Sequence, residues 1–196
     1  MSIASALFSE SQSRIFRWLF GQPDRAFHLS ELRRLTGLGS ASLQRELNRL
    51  AEAGLVQSER VGNMRRFQAN PQSPVYNELI GLTRKTISLE PLLREALLPL
   101  VPRLRAAWIF GSVAKQTDTA QSDIDIMLIG ENLPLGDILE HLLPLEAQLG
   151  RKINPTCYTP ADFERRRGEA DSFVNRILSQ PVLPLIGEVN EPGRAG

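Results

Sequence analysis

FGSVAKQTDTAQSDIDIMLIG, residues 110–130, decides how the rest of the chain is read. Gly111-Ser112 ends one apolar run, and Asp123-Ile124-Asp125 opens a second, Ile126 to Ile129. The spacing predicts two strands joined by a polar loop. In a strand, side chains alternate between faces, so Asp123 and Asp125 fall on one face a few ångströms apart. Carboxylates this close repel each other, and a divalent cation relieves the repulsion. Mg²⁺ suits the pattern, because it favours one or two carboxylates plus substrate phosphates over a full protein cage. Gly111-Ser112 suits the phosphate end. Glycine lets backbone approach closely, and a helix starting near Ser112 aims its free N–H groups at an anion.

Taken together, GSVAK and SDID over roughly residues 104–160 resemble the polymerase-β-like nucleotidyltransferase superfamily, in its minimal form. The resemblance implies that Gly111 and Ser112 bind the triphosphate of a nucleotide, with Lys115 in reach of phosphate. It implies that Asp123 and Asp125 are both catalytic and metal-binding, holding Mg²⁺ that activates the attacking group and neutralises the leaving pyrophosphate. A DxD or a Gly-Ser alone often marks nothing more than a turn; the two together at this spacing are a sharper signal. The pattern also departs from the family. Active members bear a third carboxylate on the next strand, where RKINPTCYT offers Asn154. A neutral amide is a poorer ligand and cannot serve as a base. Asp162 or Glu164 replaces it only if the following helix bends inward. Gln116 stands where the family often has Gly. These departures imply nucleotide binding with weak or absent transfer.

The front of the chain carries a different pattern. Residues 9–20 predict a helix with Ile15, Leu19 and Trp18 inward, and Gly21-Gln22-Pro23-Asp24 breaks it. Ala26 to Leu29 reads as a short strand. Ser30 is placed to cap a helix with Leu32 and Leu35 inward, and Gly37-Leu38-Gly39 makes a tight turn. Ser40 caps a second helix through Ala53, with Leu43, Leu47 and Leu50 at helical spacing. Leu55 to Val61 and Met64 to Ala69 read as strands around a Gly62-Asn63 turn. Helix, helix, tight turn, helix, hairpin resembles the ArsR/MarR-type winged helix-turn-helix regulators over most of residues 9–69. With the leucines buried, Ser42, Gln44, Arg45, Asn48 and Arg49 are left to meet double-stranded DNA. Arg, Gln and Asn make the common bidentate contacts to guanine and adenine edges. Arg60, Arg65 and Arg66 lie on the wing, placed for phosphate or minor-groove contact. The plain alternative is a winged helix used for protein contact, its polar side chains a solvated face.

Charge favours the DNA reading. The chain has 196 residues and a net charge of +1. Residues 1–70 hold 10 Arg, no Lys and 6 acidic residues, so +4; the remainder holds 13 basic and 16 acidic residues, so −3. A basic front and acidic back suggest that only the front meets nucleic acid, although +4 over such a length is also ordinary scatter. Cys157 is the single cysteine, so no internal disulfide forms; it reads as a core residue in a reducing compartment. The start lacks the pattern of a signal peptide, and no stretch suits a membrane span. A cytoplasmic protein without a membrane partner is expected.

Asn70 to Pro74 reads as a linker. Val75, Leu79 and Leu82 mark an amphipathic helix; Ser88 caps another, rich in leucine, which Pro99 and Pro102 end. These helices either pack the domains or form a homodimer seam. Strands are expected over 105–110, 123–130 and 152–158. A helix over 135–149 is expected to be interrupted at Pro144, and another to run from Thr159 to about Leu178, with Arg165, Arg166 and Arg167 as its solvated face. His141 reads as a surface histidine. The fold class is α+β: a winged helix-turn-helix over 1–70, a helical connector over 71–103, a small nucleotidyltransferase-like domain with a mixed sheet flanked by helices over 104–187, and a frayed tail over 188–196. The expected function is a DNA-binding transcriptional regulator that binds a Mg²⁺–nucleoside triphosphate. The alternative is an active enzyme moving NMP onto a protein or small molecule, in one version as an antitoxin acting on its toxin.

Overall fold

The computed structural model describes residues 2–62 and 64–188. Asn63 of the expected turn and residues 189–196 of the expected tail lie outside the described residues. The chain forms two compact units, one comprising Ala4–Ser88 and the other the chain from Leu89 onward with the residues up to Ile3. The stretch expected as a connector is therefore divided between them.

The unit Ala4–Ser88 follows α1 (Ile3–Leu7) with α2 (Glu10–Leu19), β1 (Phe27–His28), α3 (Leu29–Thr36), α4 (Ser40–Glu52), β2 (Val56–Val61), β3 (Met64–Ala69) and α5 (Tyr76–Thr86). Ser9 starts α2 through a reciprocal cap: its hydroxyl accepts from the Gln12 amide, and the Gln12 side chain accepts from the Ser9 amide. Ser30 does not cap α3. The N-cap position is His28, because pairing with β3 holds the chain extended up to that residue and the helix begins directly after it. Likewise Gly39, not Ser40, precedes α4. The three strands are antiparallel in the order β1-β3-β2. Leu43, Leu47 and Leu50 of α4 are buried with Ile15, Phe16, Leu19, Phe27 and Phe67 in one core. Val75 and Leu82 are 40% and 41% exposed; α5 packs with Tyr76, Leu79 and Ile80 instead. Ser88 caps nothing, since its buried hydroxyl makes no hydrogen bond.

The second unit contains α6 (Leu89–Leu97), a 3-10 turn (Leu98–Arg103), β4 (Leu104–Phe110), α7 (Gly111–Ala114), β5 (Ile124–Gly130), α8 (Leu135–Leu149), β6 (Ile153–Tyr158), α9 (Pro160–Arg167), α10 (Phe173–Leu178) and β7 (Leu183–Ile186). Its sheet runs β6-β5-β4-β7, parallel between β5 and β6 and antiparallel elsewhere. Both edge strands carry a proline, Pro155 in β6 and Pro184 in β7. Alternation sorts the strands into two faces. Ala107, Ile109, Ile126, Leu128 and Ile153 pack with Leu93 and Leu97 of α6 and Ile138 and Leu142 of α8. Ala106, Trp108, Phe110, Met127 and Ile129 pack with Phe163 of α9 and with Val174 and Ile177 of α10.

Three expectations are corrected here. Pro144 does not interrupt α8, which is continuous; the proline sits on the exposed side, where a carbonyl robbed of its donor faces solvent. The single helix expected over 159–178 is two. Ser172 caps α10, and the Asn175 side chain donates to the Arg167 and Glu169 carbonyls, fixing the turn between them. Cys157 is half-buried, packed against the α6 and α8 face. Among the described residues no helix is long and apolar enough to cross a membrane.

Candidate functional site

The sheet register assembles a site at the start of β5. Phe110 lies opposite Asp125 across the antiparallel pair, which brings Gly111 against the Asp125 side chain. Asn154 lies beside Asp125 across the parallel pair. Asp123, just ahead of β5, is exposed and Asp125 is half-buried. The Asn154 amide bridges them, donating to Asp123 Oδ2 at 3.0 Å and to Asp125 Oδ1 at 3.5 Å. The carboxylates therefore share a face with the residue expected at the third position.

Gly111 is required twice over. Its φ is +73°, a left-handed value that penalises any Cβ, and a Cβ there would stand 2.4 Å from Asp125 Oδ2. The carboxylate thus rests directly on glycine backbone. Burial pushes the Asp125 carboxyl above its ordinary pKa; the Asn154 amide opposes this, and the neighbouring Asp123 charge adds to it.

At the anion end, the helix expected near Ser112 is the single turn α7. Ser112 is half-buried, its carbonyl accepting from the Thr117 amide at 2.9 Å, and Lys115 is exposed. Asp162 and Glu164 do not take the place of a third carboxylate. Asp162 accepts from Arg165 and from the Thr159 hydroxyl, which hold its pKa low, and Glu164 pairs with Arg167. Among the described residues no three His, Cys, Asp or Glu side chains cluster as a metal site. The donor set is two carboxylates and one amide. A cation between the carboxylates fits it if the amide turns to present its oxygen, an orientation of the same shape. Bound phosphate would complete the shell.

One pair had no signal in the sequence pattern. Asp118, in the loop between α7 and β5, meets Arg151, just ahead of β6, at 3.1 Å with both side chains buried. Arg151 Nε also donates to the Ser122 carbonyl at 2.9 Å. The partners are 33 residues apart and belong to no local motif.

The residues expected to meet DNA lie on the exposed side of α4 and on the β2–β3 hairpin. Gln44, Arg45 and Arg60 are exposed, and Ser42 is half-buried. Asn48, Arg49 and Arg65 have internal partners. Arg49 forks onto Glu46. Arg65 donates to Asn48 Oδ1 at 2.9 Å and to the Ser58 hydroxyl, with its guanidinium over the Phe67 ring. Arg66 is half-buried opposite Glu59 in register. A cavity of about 220 Å³ between α3 and α4 is lined by Leu29, Ser30, Arg33, Ser40, Leu43 and Gln44.

Residues 95–181 match the family described as Polymerase beta, Nucleotidyltransferase, so this part of the chain is a nucleotidyltransferase-type domain. No curated protein matches the chain. Among solved structures, a toxin–antitoxin complex with AMP-PNP is 19% identical over 53% of this chain and 77% of that one, with a TM-score of 0.40. A mutant of the toxin–antitoxin pair MntA-HpeT is 18% identical over 53% and 77%, with a TM-score of 0.39. Ligand-free NadR is 27% identical over 50% and 72%, with a TM-score of 0.32.

Proposed function

We propose that the nucleotidyltransferase-type domain binds a nucleoside triphosphate with Mg²⁺, and that the unit Ala4–Ser88 is a winged helix-turn-helix that binds duplex DNA. On this reading the chain is a cytoplasmic DNA-binding transcriptional regulator whose transfer activity is weak or absent. The observation that carries it is the Asp123–Asn154–Asp125 cluster beside Gly111. Asp123 and Asp125 would hold the ion. When bound, it supplies positive charge for the phosphate oxygens and the leaving pyrophosphate. Gly111 keeps the backbone close to Asp125, Ser112 and Lys115 stand at the anion end, and Asn154 orients the carboxylates but cannot take a proton at neutral pH. That last property is the reason to expect slow chemistry.

The DNA part of the proposal is supported by the order β1-β3-β2 behind α3 and α4, and by Gln44, Arg45 and Arg60 left exposed. A homodimer would present two such surfaces to a palindromic site.

A second reading is an active enzyme that moves NMP onto a protein or small molecule, including a partner toxin. It is favoured by Asp123 and Asp125 lying together beside Gly111, the carboxylate pair that a transfer step would need for its cation. One titration separates the readings: nucleotide affinity with and without Mg²⁺, followed by pyrophosphate release. Affinity without release supports the first, and steady release the second. Silence toward ATP, GTP, CTP and UTP overturns both. For the DNA part, a genomic selection at low salt that recovers no duplex overturns the regulator.

A further inference from the structure

We infer that Arg151 is a positioning residue that clamps the loop between Gly111-Ser112 and Asp123-Asp125, holding both ends of the nucleotide site in place before any ligand arrives. The inference rests on the nucleotide-binding reading for its functional half, and on geometry alone for the clamp.

The loop from Lys115 to Asp123 has little to hold it. It is nearly all exposed, and Gln116 sits at φ +56°, in the left-handed region that costs a non-glycine residue. Within itself it closes only a small turn, in which the Thr119 amide donates to the Ser122 hydroxyl at 2.9 Å and the Ser122 amide to the Thr119 carbonyl at 3.1 Å. Its one buried charged residue is Asp118. Arg151 reaches the loop from the far side of α8 and grips it twice. Nη1 pairs with Asp118 in its middle, and Nε donates to the carbonyl of Ser122, the residue before Asp123. Backbone extends the grip, as the Ile124 amide donates to the Lys152 carbonyl at 2.8 Å. A guanidinium is suited to this, because its donors are fixed in one plane and cannot rotate independently. The side chain is 6% exposed, so solvent does not compete.

The consequence is preorganisation. Lys115 stands at one end of the clamped loop and Asp123 at the other, so a fixed loop spares the nucleotide the entropy of ordering it. Loss of the clamp would leave the carboxylates and Gly111 chemically intact but loosely spaced.

The experiment compares the full-length wild type with Arg151→Lys and Asp118→Asn. Arg151→Lys keeps the charge opposite Asp118 but replaces the planar grip of two separate nitrogens with a single one. Amide hydrogen exchange without ligand is expected to quicken at least tenfold across 116–124 in both variants, with β4 amides little changed. Mg-ATP affinity, read by calorimetry, is expected to fall at least tenfold, while binding of the nucleoside adenosine moves little. Unchanged exchange in the loop overturns the clamp. Quickened exchange with unchanged Mg-ATP affinity overturns its role at the site. A wild type that binds no nucleotide defeats the functional reading, and the exchange data still decide the clamp. If Arg151→Lys does not fold, Asp118→Asn, of nearly the same shape, carries the comparison.

Discussion

The side-chain amide of Asn154 donates to Asp123 Oδ2 at 3.0 Å, joining two strand starts 31 positions apart in the chain. The position that faces the carboxylate pair is thus held by a neutral donor, which quiets their repulsion without a cation. Asn154→Asp replaces that donor with a third anion. It is expected to lower ligand-free stability, to recover it with Mg²⁺, and to raise NMP transfer, because a hard anionic ligand and a proton acceptor are gained. Self-labelling with α-labelled nucleoside triphosphates reads the outcome. Vigorous transfer by the wild type would show that the amide suffices.

Asp125→Asn is expected to abolish Mg²⁺-dependent nucleotide affinity and to stabilise the ligand-free fold at neutral pH. The sign follows from the elevated carboxyl. The folded chain holds this proton at pH values where the unfolded chain has lost it, so the contribution favours folding at low pH and is lost as pH rises through the raised folded value. Melting temperatures of variant and wild type should therefore converge in acid and separate as pH climbs past the ordinary carboxylate range, the variant higher. A constant difference at every pH would mean that Asp125 titrates alike in both states.

Gly111→Ala tests the cradle under Asp125. The added methyl meets Asp125 Oδ2 and takes on a positive φ, so a loss of about 1–3 kcal/mol in chemical denaturation is expected. Nucleotide affinity should fall with it, because the carboxylate must move. Gly136→Ala, in α8 with nothing within 4 Å of the new methyl, is the control and should lower neither.

Arg45→Ala should relax sequence discrimination on DNA by about 1–3 kcal/mol, the worth of one base-edge contact. Asn48 and Arg65 are bonded to each other, so their effects are expected to couple: Asn48→Ala with Arg65→Ala should cost less than the two single losses added together. Titrations of duplex binding on the four proteins measure this. Strict additivity would mean that the pair separates when DNA binds.

The sequence made the site's outline legible because one half of it follows the end of a strand and the other sits at the start of the next. An apolar run closed by Gly111-Ser112 and another opened by Asp123-x-Asp125 leave little choice of placement, and Asn154 follows from the parallel register of the next strand. What escaped reading depends on contacts that no local pattern records. β7 is four residues long and contains Pro184, so the pattern gives no strand there; pairing with β4 makes it one. The break between α9 and α10 comes from Asn175 bonding back to Arg167 and Glu169, and Asp118–Arg151 joins distant loops. The helix caps lie two residues before Ser30 and one before Ser40, where an adjoining strand or glycine, and not a serine hydroxyl, sets the first turn.

The prolines in the two outer strands bear on how this sheet keeps its own company. A sheet's rim offers rows of unpaired amides and carbonyls, a template on which a stray strand can grow. Pro155 and Pro184 each delete one amide from that template, on opposite rims of the β6-β5-β4-β7 sheet. Each rim is then one donor short of a regular ladder. The sheet is blunted against adding further strands, which guards the folded chain against fibrillar stacking. It also steers an incoming protein toward side chains and away from main-chain zippering.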